Sequence, residues 1–391
     1  MLRRHCLVIL FLLPSNVLAE GIIWSGFFNA AYLTSDNEKV YDQNVDNHAN
    51  FSRGSSLGLN IYADLSDSIE FGGQFLAEGI DRNKEPRADW AFVTYRPLES
   101  LSLRFGRQKL PLWLASDYIN VGMTYPWIEP PREVYALGPI KSFSGVSIQY
   151  ALEFGDYSVS LEVYGGDSKS TLRGENETTY PLDGNEILGA SLTLGNENAQ
   201  LRLNQATGNI NLPTFGINER PVTFQSVGIN ADWNNVLVMS EYATVEESHE
   251  AQKRSQAVAS YDQQIAGAVA AGASPETLAQ LGMLRAIQAD KSFDHEAFYV
   301  TLGYRFGSFL PNITYASIKT PDNQILIGGD QTSMTLGTKV EVAETSAIKI
   351  SYQKISVKEG KLGFFDRNPD GGIPDKTDGT GIFGFAFNTT F

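Results

Sequence analysis

From Ile22 onward the chain falls into segments of roughly ten residues in which apolar and polar side chains alternate. None of its apolar runs approaches the about 20 residues that a membrane helix needs. Val159, Leu161 and Val163 alternate with Ser158, Ser160 and Glu162. Leu57, Leu59 and Ile61 alternate with Ser56, Gly58 and Asn60, and Val300, Leu302 and Tyr304 with Thr301, Gly303 and Arg305. Neighbouring side chains of a strand point to opposite faces, so one face of each segment suits lipid and the other water. Tight turn signals stand at Ser66-Asp67, Pro97-Leu98-Glu99, Gly155-Asp156, Gly195-Asn196-Glu197, Asn234-Asn235, Gly307-Ser308 and Ala343-Glu344. Between them lie longer polar stretches near 35–51, 80–86, 110–142, 166–185, 208–221, 248–291, 320–330 and 359–379. Seven short and eight long connections require sixteen strands. A β-sandwich also alternates, but has no reason to segregate its short and long connections. The fold class expected is therefore all-β: a closed antiparallel transmembrane β-barrel of 16 strands.

The start of the chain reads as an export signal over residues 1–19, leaving 20–391 for the barrel. Arg3 and Arg4 precede the apolar run Cys6–Leu13, and Val17-Leu18-Ala19 offers small residues for cleavage. Cleavage there removes Cys6, the single cysteine, and with it any disulfide, thiol nucleophile or cysteine-ligated metal. It also leaves 45 acidic against 28 basic residues, a formal charge of −17, which argues against nucleic acid as a partner. At the other end Phe383, Phe385, Phe387, Thr389 and Phe391 share one face. This resembles the terminal strand of outer-membrane proteins, in which alternating aromatics end on a phenylalanine.

The stretch 110–142 is too apolar for a solvated loop. Trp113, Tyr118, Tyr125, Trp127 and Tyr135 sit among Leu112, Leu114, Ile119, Val121, Met123 and Ile128. Exposing them is unfavourable by several kcal/mol at about 25 cal/mol per Å². The segment is thus expected inside the barrel or against a neighbouring subunit, stiffened by Pro111, Pro126, Pro130, Pro131 and Pro139. Around it lies the run Leu103-Arg104-Phe105-Gly106-Arg107-Gln108-Lys109-Leu110-Pro111, followed later by Tyr125-Pro126-Trp127-Ile128-Glu129-Pro130-Pro131-Arg132-Glu133-Val134-Tyr135. This block resembles Gram-negative outer-membrane porins, in particular porin-like proteins of marine proteobacteria. The resemblance implies a third loop folded into the lumen, a homotrimer and a passive channel.

If that loop constricts the pore, its charged residues Asp117, Glu129, Arg132 and Glu133 face the wall residues Arg104 and Arg202. Both arginines alternate with Leu103, Phe105, Leu201 and Leu203, which suit lipid. Opposed charges at a constriction order water and favour polar solutes; the alternative is a set of solvated rim charges. Residues 250–290 break the β pattern and read as a helical hairpin in the sixth loop, with Ser274 capping Pro275 and Glu276. Cover, plug and decoration all stay open for it. The last loop carries Asp366, Asn368 and Asp370 before Gly371, the opening of a calcium loop, but Thr377 stands where a bidentate glutamate belongs. The alternative there is an acidic surface loop without metal. Only His48, His249 and His295 follow the signal, none beside a recognisable serine motif, and Glu246-Glu247 is the one acidic pair suggestive of a protease. The function expected is passive diffusion of small polar or charged solutes across the cell outer membrane. A substrate-selective channel is the main alternative; a plugged adhesive barrel and a hydrolase follow. The partners expected are membrane lipid and lipopolysaccharide, with no nucleic acid and no cofactor required.

Overall fold

The computed structural model describes residues 21–42, 44–79, 86–173, 178–247, 251–289, 294–320, 329–368, 374–375 and 377–391. Sixteen antiparallel strands close into one barrel in which each strand pairs with its sequence neighbours and the last pairs with the first. They are β1 (Ile22–Ser35), β2 (Ser56–Ser66), β3 (Ile69–Glu78), β4 (Arg87–Leu98), β5 (Leu101–Lys109), β6 (Ser142–Phe154), β7 (Tyr157–Arg173) and β8 (Thr179–Gly195). After these come β9 (Ala199–Leu212), β10 (Ile217–Trp233), β11 (Val236–Glu247), β12 (His295–Tyr304), β13 (Phe309–Lys319), β14 (Gln331–Ala343), β15 (Ser346–Val357) and β16 (Gly381–Thr390). Among the described residues no helix is long and apolar enough to cross a membrane. Closure leaves no strand edge unpaired, which is the condition for a sheet to sit in lipid.

The alternation works as the sequence suggests. Phe105, Ile148, Leu161, Leu203, Leu302 and Phe385 are exposed on the outer surface, while their strand neighbours face the lumen. Short turns join the strands at one end. Between Trp233 and Val236, which pair directly, Asn234 and Asn235 both take positive φ (49° and 68°). Two such residues in a two-residue loop match the right-handed twist of the flanking strands, and asparagine tolerates them. Closure is completed at the terminus, where the backbone of Phe391 exchanges hydrogen bonds with Gly26 at 2.7 and 3.0 Å. The Phe391 ring lies over Gly26, so closely that a Cβ there would stand 2.5 Å from the ring.

Two of the expected long loops are strand instead. The stretches 166–185 and 208–221 are mostly the ends of β7, β8, β9 and β10, with Leu172 still pairing with Tyr180 and Arg220 with Ile210. These ends turn apolar residues such as Leu182, Leu212 and Ile217 inward and polar ones such as Asp183, Asn209 and Asn211 outward, so the contrast that marks a lipid-facing strand is lost while the hydrogen-bond ladder continues. Bulges between Gly166 and Ser168 and between Asn185 and Leu188 mark the change.

The third long loop carries a single helical turn, α1 (Arg132–Tyr135). The sixth carries α2 (Ala251–Ala270) and α3 (Pro275–Ala289). Ser274 Oγ accepts from the Thr277 N–H at 3.2 Å, the capping contact expected of it. Arg285 and Asp262 tie the two helices together at 2.5 Å. The base of α3 is fixed to the barrel rim. Ile287 is fully buried, and Gln288 donates to the carbonyls of Phe215 and Gly216 while accepting from Arg220 at 2.9 Å. The export signal expected over 1–19 lies outside the described residues.

Candidate functional site: the lumen and its third loop

Residues 110–141 leave the rim after β5 and cross the barrel interior. Their apolar side chains form one cluster with the inner faces of the opposite wall: Leu112, Trp113, Tyr125, Trp127, Val134 and Tyr135 pack with Phe224, Met239, Ala243, Ala297 and Tyr299. This burial accounts for the apolar composition of the loop. The Trp127 indole N–H donates to Thr301 Oγ1 at 3.0 Å and Thr314 Oγ1 at 2.9 Å on β12 and β13.

Much of the remaining attachment runs through the main chain of the loop. On β1, Asn29 Nδ2 donates to the Asn120 carbonyl at 2.8 Å. Lys339 Nζ donates to the Met123 carbonyl at 2.8 Å, and Lys349 Nζ to those of Gly122 (2.5 Å) and Trp127. From the opposite side Arg202 donates to the Trp113 carbonyl at 2.7 Å and Ser226 Oγ to that of Leu112 at 2.6 Å. Glu241 accepts from the Leu114 N–H at 2.8 Å, and its other oxygen accepts from Tyr299 Oη at 2.9 Å and from Tyr135 Oη. The loop is thus fastened on both sides of the barrel, by groups that are buried and therefore costly to leave unpaired.

The first and last loops close the barrel half lined by β13 to β16. Tyr41, Val45 and Phe365 join Leu33, Ile128, Ile355 and Ile382 in a second buried cluster. Asp42 lies between Arg53 and Arg132, each at 2.5 Å. Burial would raise the Asp42 carboxyl, but the two guanidinium groups outweigh it and hold it below its ordinary value. Beneath this cap a cavity of about 70 Å³ lies against Tyr41, Trp127, Thr314 and Lys349. It has room for a few waters and not for a hydrated solute.

Solvent reaches the lumen on the other side, beside β2 to β9. Asp117 of the loop is 58% exposed, and Arg104, Glu162, Tyr62 and Phe92 of the wall are only half-buried. Asp117, Arg104 and Arg202 all lie within Coulombic reach of Glu162, and Arg202 meets Asp117 at 3.3 Å. Three of the six charged residues proposed from the sequence therefore converge on the open passage: Asp117, Arg104 and Arg202. The other three are drawn under the cap. Glu129 pairs with Arg53 at 2.7 Å, Arg132 pairs with Asp42, and Glu133 accepts from Gln331 at 2.8 Å in full burial. Burial pushes the Glu133 carboxyl above its ordinary value, against that hydrogen bond.

The sequence reading missed Glu162 as a member of the cluster, although it alternates with the outward Leu161 and Val163 as Arg104 does with Phe105. It also missed Asp89, which pairs with Lys109 and accepts from Asn120 Nδ2 at 2.9 Å. Of the acidic pair at the end of β11, Glu247 is buried against Arg220 at 3.4 Å, a structural ion pair. The proposed calcium ligand Asp370 lies outside the described residues. Of the other two, Asn368 already accepts from Lys39 Nζ at 3.5 Å and the Asp366 N–H donates to the Val40 carbonyl.

Comparison with known proteins now bears on this geometry. The sequence matches the Gram-negative porin family over residues 7–276. No curated protein matches it. Among solved structures it is similar to an anion-selective porin from Comamonas acidovorans, with a TM-score of 0.56 at 11% identity, covering 95% of this chain and 99% of that one. It is similar to the in-vitro folded OmpT of Vibrio cholerae in its trimer form, with a TM-score of 0.54 at 10% identity over 95% and 99% of the two chains. A third likeness is OmpF of Salmonella typhi, with a TM-score of 0.54 at 12% identity over 95% and 97%. At such identities these structures speak for the fold alone, and the family match supplies the rest. A closed sixteen-strand barrel with an apolar outer surface and a water-reached lumen, together with this family match, makes an outer-membrane channel, and the chain belongs to the Gram-negative porin family.

Proposed function

We propose that the protein is a passive diffusion channel for small polar or charged solutes, working as a homotrimer. The observation that carries this reading is the off-centre passage: the third loop and the cap fill much of the lumen, while Asp117, Glu162 and Arg104 stay partly exposed beside Arg202 on one side. Opposed carboxylates and guanidinium groups across a narrow path stabilise polar solutes as they lose water, and disfavour apolar ones. The loop sets the bore because it is pinned at both sides and cannot be swept aside. The trimer form of the Vibrio cholerae structure supports the assembly state.

The test is single-channel recording of the refolded protein in a planar bilayer under a salt gradient. Conductance in steps of three, with a reversal potential that moves toward anion preference in Asp117→Asn and toward cation preference in Arg104→Gln, is the expected result. A folded barrel without ionic conductance overturns it.

A further inference from the structure

The wall of the open passage carries a continuous aromatic strip. On the inner face of β2 and β4, Tyr62 and Trp90 have ring centroids 5.7 Å apart, and Trp90 and Phe92 stack at 5.2 Å with planes 26° apart. Gly72 makes room for them: a Cβ there would stand 3.2 Å from both the Trp90 and the Tyr62 rings. Trp90 is buried beneath the other two, and with Trp90 stacked on Phe92 and Arg104 over the Phe92 ring, the half-buried Tyr62 ring and the Phe92 edge are what the lumen reaches.

Arg104 continues the strip. Its guanidinium carbon lies 5.2 Å from the Phe92 centroid, and its Nε is buried with no hydrogen-bond partner. Among the described residues no carboxylate stands within ion-pair distance of it. Arg202, by contrast, is engaged by Asp117 and by the Trp113 carbonyl. A guanidinium seated on a ring is weakly hydrated and keeps its edge for a planar anion. Glu162, hydrogen-bonded to Ser147, supplies a carboxylate on the same wall, and Asp117, which meets Arg202 at 3.3 Å, another across the passage. Two cations and two carboxylates make the cluster neutral as a whole, which disfavours a bare anion or a bare cation and suits a solute carrying both charges.

We infer that this strip is a binding site for small zwitterions bearing a flat ring, of the aromatic amino acid type. The solute carboxylate meets the free edge of Arg104, its ring lies on Tyr62 and against the edge of Phe92, and its ammonium faces Glu162 and Asp117. This deepens the channel reading by naming a solute class for the same passage.

Calorimetric titration of the detergent-solubilised, folded barrel reads binding whether or not the channel conducts, so its failure is distinct from a failure of the channel reading. L-Phenylalanine is expected to bind saturably, while L-alanine and benzoate each bind at least about tenfold more weakly, because each lacks one element of the match. Arg104→Gln is expected to weaken phenylalanine about tenfold or more, and Phe92→Ala several-fold. Phe92→Leu serves as a milder probe of the ring contact if the alanine variant fails to fold. Equal binding of alanine overturns the role of the aromatic strip, and equal binding of benzoate overturns the zwitterion assignment. No binding of phenylalanine, or binding unchanged in Arg104→Gln, overturns the site.

Discussion

Replacing Glu241 by alanine should loosen the third loop without opening the barrel. The carboxylate, 1% exposed, accepts from the Leu114 N–H, from Tyr299 Oη and from Tyr135 Oη. Alanine leaves three buried donors without an acceptor, and each such donor costs about 1–3 kcal/mol. Even at the low end the sum is about 3 kcal/mol, which at 1.4 kcal/mol per decade raises the population of undocked loop roughly a hundredfold. The barrel ladder is untouched, so the folded band on an unheated gel should persist. Open-channel current noise and protease cutting within 110–141 should both rise. Glu241→Gln should fall between, because its amide oxygen satisfies either the tyrosines or Leu114 while its NH₂ faces a donor. Adding Tyr135→Phe and Tyr299→Phe to Glu241→Ala should recover part of the loss by removing two stranded hydroxyls. Noise and proteolysis of Glu241→Ala indistinguishable from the parent protein would refute the view that the loop is held by this group.

Lys349→Met removes the donor to the Gly122 and Trp127 carbonyls and the cation 4.5 Å from the Tyr125 ring, and should raise channel noise by a similar route, visible in the same recordings. Gly26→Ala drives a Cβ into the Phe391 ring and the Gly58 carbonyl, at 2.5 and 2.7 Å, so barrel closure should slow or fail, as read by the yield of heat-modifiable folded protein. Asp42, with a carboxyl held below its ordinary value, stabilises the cap at and above the unfolded pKa of about 4 and loses that contribution as pH falls through its lower folded value. Pepsin cutting of the first loop should therefore increase only in strong acid, and Asp42→Asn should flatten that dependence while making the cap more accessible at neutral pH. Calcium chelation should leave protease sensitivity of the last loop unchanged, since Lys39 already faces Asn368.

Strand number, the seven tight turns and the burial of residues 110–141 were legible because each follows from local chemistry: alternation, turn residues and an apolar loop that water would not tolerate. The full extent of β7 to β10 was not, since their ends bury apolar residues such as Leu182 and Leu212 inward and keep the outer face polar, opposite to the lipid-facing pattern. Within the site, Arg104 and Arg202 were named from polarity against alternation and Asp117 as a charge of the loop, and the structure places the three around the open passage. Glu129, Arg132 and Glu133 look the same in the sequence but face the cap, because their partners Arg53, Asp42 and Gln331 come from elements far away in the chain. No local signal carries such pairings. Lys349 likewise reads as an ordinary inward lysine of a strand until the loop carbonyls that it binds are in place.

Much of what the wall grips in the third loop is peptide backbone: the carbonyls of Leu112, Trp113, Asn120, Gly122, Met123 and Trp127 and the N–H of Leu114. A main-chain oxygen is present whatever residue carries it. Position and chemistry in this segment are therefore separable, with the anchors reading the path of the chain and side chains such as Asp117 free to read the solute. A designer could rewrite the lumen-facing residues between 115 and 124 as an interchangeable cassette, retuning what passes while the loop keeps its course.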